Sequence, residues 1–218
     1  IITYIGKSGI AHSEQGTLDG NVYTSTAVAK TLLFQQNSAS VNETNDAQIS
    51  FDNPNTNYGA SNVLTIDEQG PQAHAVIQFP NIIGNSEGQI PPNTQIDSAI
   101  LRVNCFNGGN LGKTYLLLES WNESQTTWNN RTSSSAWGNA GADGTTSRDS
   151  NAVNWTCTYP TGYKNFDMTS FVQNWTNGAP NYGVVAINTN TDGFDFYTSE
   201  HTTQANRPTL IVNYTEFQ

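Results

Sequence analysis

The feature that most constrains this chain is the stretch 166–214, FDMTSFVQNWTNGAPNYGVVAINTNTDGFDFYTSEHTTQANRPTLIVNY. Thr169 suits a helix N-cap, the residues that follow place Phe171, Val172 and Trp175 on one side of a short helix at about 170–175, and Asn177-Gly178 supplies a left-handed stop. Three strands then follow. Residues 182–188 are nearly all apolar, 194–199 alternate Phe194, Phe196 and Thr198 against Asp195, Tyr197 and Ser199, and 210–214 alternate again. A short helix leading into a β meander is half of a sandwich and requires a second sheet to cover it.

A chain of 218 residues is long enough for one large all-β domain, or for one domain plus an arm. Only 12% of its residues are charged, so solubility comes mainly from amides and hydroxyls, and the net charge is -10. Eight Lys and Arg in total leave no basic footprint for nucleic acid or an anionic membrane surface. The longest apolar runs, such as 75–77 and 183–187, are far too short to span a bilayer. The start at Ile1 fits a processed product, and the polar, Asn- and Thr-rich composition points to an extracellular or cell-surface location.

Two cysteines, Cys105 and Cys157, stand in separate segments without CxxC spacing or a His cluster, which argues against a thiolate metal site. Outside the cell they are expected to form one disulfide; two buried thiols are the alternative. Six sequons, at Asn42, Asn122, Asn130, Asn154, Asn174 and Asn213, are candidate glycosylation sites.

At the N-terminus, IITYIGKSGI places Ile1, Thr3 and Ile5 on one face of an extended segment and Ile2 and Tyr4 on the other. A strand apolar on both faces must be covered on both. The arm, Ile1, Ile2, Tyr4, Ile5 and Ile10, is therefore expected to pair as a strand, either in a neighbouring subunit or on its own sandwich. Residues 27–34 read as a buried strand or one short helix, and 37–46 as a polar connector with a soft boundary between a strand-rich N-terminal extension, 1–45, either separate or part of the same sandwich, and a sandwich, 46–218. Beyond it, short strands are expected at 49–52, 63–66, 73–79, 97–106 and 115–119, with turn-rich NPNTNYGAS between the first two, and 132–163 is the longest irregular stretch.

Several pieces in order, NPNTNYGAS, AHAVIQFPNI, IPPNTQIDSAILRV, ESWNESQTTWNNR, WGNAGADG, FDMTSFVQNW, NGAPNYGVVA, FDFYTSE and NRPTLIVNY, resemble the DNRLRE domain family, which overlaps carbohydrate-binding module family 96. The resemblance covers about 46–214. It implies a jelly-roll-like antiparallel β-sandwich, all-β with one short helix, used as a non-catalytic module of secreted or surface proteins, some relatives binding acidic polysaccharides such as alginate. The first 45 residues and the region 145–163 depart from the pattern.

His12, His74 and His201 lie far apart and in no catalytic motif, and Glu119, Asp167, Asp195 and Glu200 fall in strand motifs where structural roles suffice, so no enzyme activity is expected. Trp121, Trp128 and Trp175 read as core. Trp137, Trp155, Tyr159 and Tyr163 lie in the irregular stretch and are the glycan-stacking candidates; pinning the loop to the sandwich is their alternative role. Four arginines on a chain of net charge -10 match a polyanion poorly. Asp143 and Asp149 in GADGTTSRDS form a candidate loop for structural calcium.

Two functions follow. One is a structural or adhesive building block that self-associates through its N-terminal strand into a surface layer or filament; the other is a stand-alone carbohydrate-binding module for a polysaccharide.

Overall fold

The computed structural model describes residues 15–18, 21–24, 26–37, 43–70 and 72–217. Two strands, β1 (Gln15–Leu18) and β2 (Asn21–Thr24), form an antiparallel hairpin. The next segment, β3 (Ala27–Phe34), resolves the strand-or-helix ambiguity of 27–34 in favour of a strand. It pairs along its whole length with the last strand, β15 (Thr209–Phe217), so the sandwich begins before the polar connector.

The fold is an all-β sandwich of two antiparallel sheets. One sheet contains β4 (Asn45–Ser50), β6 (Ala73–Gln78), β8 (Leu111–Leu117), β11 (Arg148–Thr156) and β13 (Val184–Asn188), in the order β11-β8-β13-β6-β4. The other contains β3, β15, β7 (Ile96–Asn107), β14 (Phe194–Tyr197) and β5 (Val63–Ile66), with β12 (Gly162–Asp167) paired on β7. A small ribbon, β9 (Asn130–Thr132) and β10 (Ser135–Ala136), lies in the loops outside the first sheet.

The two sheets differ in what covers them. Ala75, Ile77, Leu116, Val184 and Ala186 of the five-stranded sheet meet Leu101, Val103, Phe194, Phe196 and Leu210 of the other in the main core. The opposite face of the five-stranded sheet, with Val76, Tyr115, Leu117, Val185 and Ile187, is covered again by Trp121, Trp128 and Trp137 from the loops after β8. Burial on both faces explains why β13 reads as a continuous apolar run rather than an alternation. The six-stranded sheet alternates because its outer face is open.

The helix α1 spans Thr169–Thr176 and buries Phe171, Val172 and Trp175, as its apolar stripe requires. Its N-terminus differs from expectation. Met168 occupies the cap position, and Thr169 is the first helical residue, its backbone N–H and hydroxyl both donating to Asp167 Oδ1 at 2.9 and 2.6 Å. The Thr169 hydroxyl oxygen in turn accepts the Ala99 N–H of β7, so the side chain fixes the helix to the sheet instead of capping it. Gly178, with φ of 100°, ends the helix and donates to Trp175 O at 3.1 Å.

Candidate functional site

The open face of the six-stranded sheet is assembled by strand alternation. Leu101, Val103 and Cys105 of β7 point into the core, which turns Arg102, Asn104 and Phe106 outward. On β12, Tyr163 stands opposite Asn104 and Asn165 opposite Arg102, and Arg102 Nε donates to Asn165 Oδ1 at 3.2 Å. Tyr163 is 56% exposed and its hydroxyl donates to Ala205 O at 3.1 Å, while Asn104 Nδ2 donates to Asn206 Oδ1 at 2.7 Å. These two bonds hold the segment before β15 against the face.

Beside them Phe106, 38% exposed, stacks on Tyr197 of β14 with ring centroids 4.6 Å apart and 28° between planes. The Tyr197 ring lies 4.2 Å from that of His201. At the end of β7, Tyr159 is 69% exposed and its hydroxyl donates to Asn107 Oδ1 at 3.3 Å, while Asn107 Nδ2 donates to Asp195 Oδ2 at 3.0 Å. The result is a set of aromatic surfaces fixed by their polar tips and interspersed with amides, one guanidinium and a carboxylate.

Of the four aromatic candidates in the irregular stretch, the structure therefore exposes two. Trp155 is 1% exposed and packs against Phe166, Phe194 and Phe196; Trp137 is 5% exposed and donates its indole N–H to Thr127 O at 3.0 Å. Neither offers a ring face to a sugar, which corrects the expectation for both. The physical reason is that the irregular stretch is partly regular: Trp155 belongs to edge strand β11 and points between the sheets, and Trp137 covers the outside of the five-stranded sheet. Phe106 and Tyr197 were not among the candidates, although each sits at the outward phase of its strand, and that phase was the readable signal.

Cys105 of β7 and Cys157, just past β11, form a disulfide with their Cα atoms 6.3 Å apart, linking the two sheets. Asn122, Asn154 and Asn174 are exposed, and Asn130 and Asn213 are half-buried in strands. Asn42 and the arm residues Ile1, Ile2, Tyr4, Ile5 and Ile10 lie outside the described residues.

The calcium candidates Asp143 and Asp149 are each taken up by neighbouring donors. Asp143 Oδ1 takes Arg148 Nε at 2.7 Å and Nη2 at 2.6 Å, and Asp149 Oδ1 takes the backbone and side-chain N–H groups of Asn151. Glu119, Asp167 and Asp195 are each engaged by neighbouring donors.

Glu200 instead belongs to a group of three carboxylates with Asp46 and Glu123, one oxygen of each lying within 4.8 Å of the other two. Asp46 is 1% exposed; burial first, and then the charge of Glu200, hold its carboxyl well above the usual range. Glu123 is pushed up to about 7, chiefly by burial and further by the charges of Glu200 and Glu43. Composition had assigned Asp46 to a polar connector, because a polar residue carries no apolar phase to mark it as strand.

A groove of about 460 Å³ lies elsewhere, bordered by Glu68, Tyr115, Asp143, Arg148 and Asn188. Its Tyr115 ring is closed off by Arg148, whose guanidinium carbon sits 3.6 Å from the ring centroid.

Among the described residues, no helix is long and apolar enough to cross a membrane. A search of curated proteins returns no match to the chain. A sequence model of one family matches residues 37–214, from just past β3 to the middle of β15, and takes in strands of both sheets of the sandwich. With most of its length matched, and with the sandwich architecture that the resemblance implied, the chain belongs to carbohydrate-binding module family 96.

Proposed function

We propose that the protein is a non-catalytic carbohydrate-binding module that holds a polysaccharide on the open face of its six-stranded sheet, in an extracellular setting that the disulfide supports. The observation that carries this reading is the set of exposed aromatic side chains Tyr163, Phe106 and Tyr159, with Phe106 stacked on the half-buried Tyr197, beside the polar groups Arg102, Asn104, Asn165 and Asn107. The C–H faces of a pyranose ring are apolar and its rim is hydroxyl. A binding surface therefore needs flat apolar rings flanked by amide donors and acceptors, and it needs them held in place beforehand so that little ordering entropy is lost on binding. The hydroxyl bonds of Tyr163 and Tyr159 provide that ordering.

Charge narrows the ligand. The face carries Arg102 but also Asp195 and Asp167, on a chain of net charge -10. A neutral polysaccharide fits this balance, whereas a uronate chain needs several cations to meet its carboxylates. The groove beside Tyr115 presents no free ring. The building-block reading rested on the N-terminal arm, outside the described residues, and gains no support from the family.

Affinity electrophoresis of the intact chain through gels cast with neutral and acidic polysaccharides tests the reading. Retardation by a neutral polymer, reduced at least tenfold in affinity by Tyr163→Ala and by Phe106→Ala, is the result expected, equivalent to about 1.4 kcal/mol or more for each ring. Retardation that both variants retain in full would contradict it.

A further inference from the structure

The carboxylate cluster has no part in the sugar-binding reading, and it is built differently from a solvated acidic patch. We propose that Asp46, Glu123 and Glu200 bind one divalent cation of the calcium class, which ties the edge of one sheet to the other.

Three separate segments supply the oxygens. Asp46 lies on edge strand β4 of the five-stranded sheet, Glu123 in the loop after β8, and Glu200 just past β14 of the six-stranded sheet. Each is positioned by a bond that uses only one of its oxygens. Asp46 Oδ2 accepts the Ser199 backbone N–H at 2.8 Å, Glu123 Oε1 accepts the Asp46 N–H at 2.7 Å, and Glu200 Oε1 accepts the Ser199 hydroxyl at 3.0 Å. The Glu123 loop is held in turn by Asn57, whose Nδ2 donates to Glu123 O and Thr126 O, both at 2.7 Å.

The second observation concerns the oxygens left over. Asp46 Oδ1 and Glu200 Oε2 are enclosed and accept no hydrogen bond. Buried acceptors are nearly always satisfied, and a buried carboxylate oxygen without a donor is among the most costly exceptions. No cationic side chain offsets the three acids: the ion pairs among the described residues join Lys30 to Glu216, His74 to Glu68, Arg131 to Glu119 and Arg148 to Asp143. A single divalent ion would satisfy the free oxygens and neutralise the mutual repulsion together.

The donor set selects the ion. All three ligands are carboxylates, with no imidazole or thiolate, which disfavours zinc and copper. Oxygens that all lie within 4.8 Å of one another can each reach an ion at the 2.3–2.6 Å typical of calcium, since opposite ligands then stand about 4.8 Å apart. Magnesium retains most of its water, and a buried cage of protein oxygens suits it less well.

The test is calorimetric titration of calcium chloride into the full chain after dialysis against a chelator, paired with melting curves. The native chain is expected to take up one calcium per molecule at submillimolar concentration and to melt higher when loaded. Glu123→Gln should weaken binding at least tenfold, and Asp143→Asn should leave it unchanged. Asp46→Asn retains an acceptor for the Ser199 N–H, so it should melt above the calcium-free native chain and gain nothing from calcium. Should that variant fail to fold, Glu123→Gln decides, because Glu123 is only half-buried. No uptake by the native chain at millimolar calcium, uptake that survives Glu123→Gln, or loss that follows Asp143→Asn instead, would each overturn the proposal.

Discussion

The indole of Trp155 and the ring of Phe166 meet with centroids 4.4 Å apart, one from the edge strand of the five-stranded sheet and the other from the strand added to the six-stranded sheet. Together with Phe194 and Phe196 they close one end of the core between the layers. Trp155→Ala is expected to destabilise the protein by about 3–5 kcal/mol, the range for truncating a large buried aromatic. Denaturant unfolding measures it, and a loss under about 1 kcal/mol would mean that the ring is not core.

Next to this cluster the Cys105–Cys157 bond closes a loop with a sequence separation of 52 and joins the same two layers. On the chain-entropy account, a loop of that size is worth about 4 kcal/mol. Replacing both cysteines by serine should lower the unfolding free energy toward that amount and, because the denatured chain without the cross-link is less compact, steepen the slope with denaturant. A non-reducing peptide map showing both thiols free would remove the basis for this expectation.

The Phe106–Tyr197 stack lies on the outside and should behave in the opposite way. Phe106→Ala is expected to cost about 0.5–1.5 kcal/mol in lost aromatic contact, far less than Trp155→Ala, yet to weaken polysaccharide binding where Trp155→Phe does not. Equal losses of stability for Phe106→Ala and Trp155→Ala would show that the outer ring is structural after all.

How much of this was legible in the chain follows from which physical signals a sequence carries. The strands β7, β13, β14 and β15 announce themselves by apolar phase, and α1 by its stripe and its terminal glycine. Strand β11 does not, because RDSNAVNWT sits at a sheet edge, mostly exposed, with Trp155 its one fully buried side chain. Without alternation it reads as loop, and its tryptophan then reads as a free aromatic. Tyr159 and Tyr163 come from the same stretch and are exposed, since Tyr163 occupies the outward phase of β12. The carboxylate cluster was hidden for another reason. Asp46, Glu123 and Glu200 are separated by long stretches of sequence, and it is the docking of the loop after β8 and of the segment after β14 on β4, through the Asp46–Glu123 and Ser199–Asp46 bonds, that brings them together.

The most direct measurement of the central claim is the chemical-shift footprint of a bound neutral oligosaccharide on the isotopically labelled chain. The account predicts perturbations concentrated on outward residues of β7, β12 and β14, with Arg102, Asn104, Phe106, Tyr163 and Tyr197 foremost and Tyr159 at the margin. A footprint confined to the groove around Tyr115 and Arg148, or no perturbation by any neutral oligosaccharide, would contradict it.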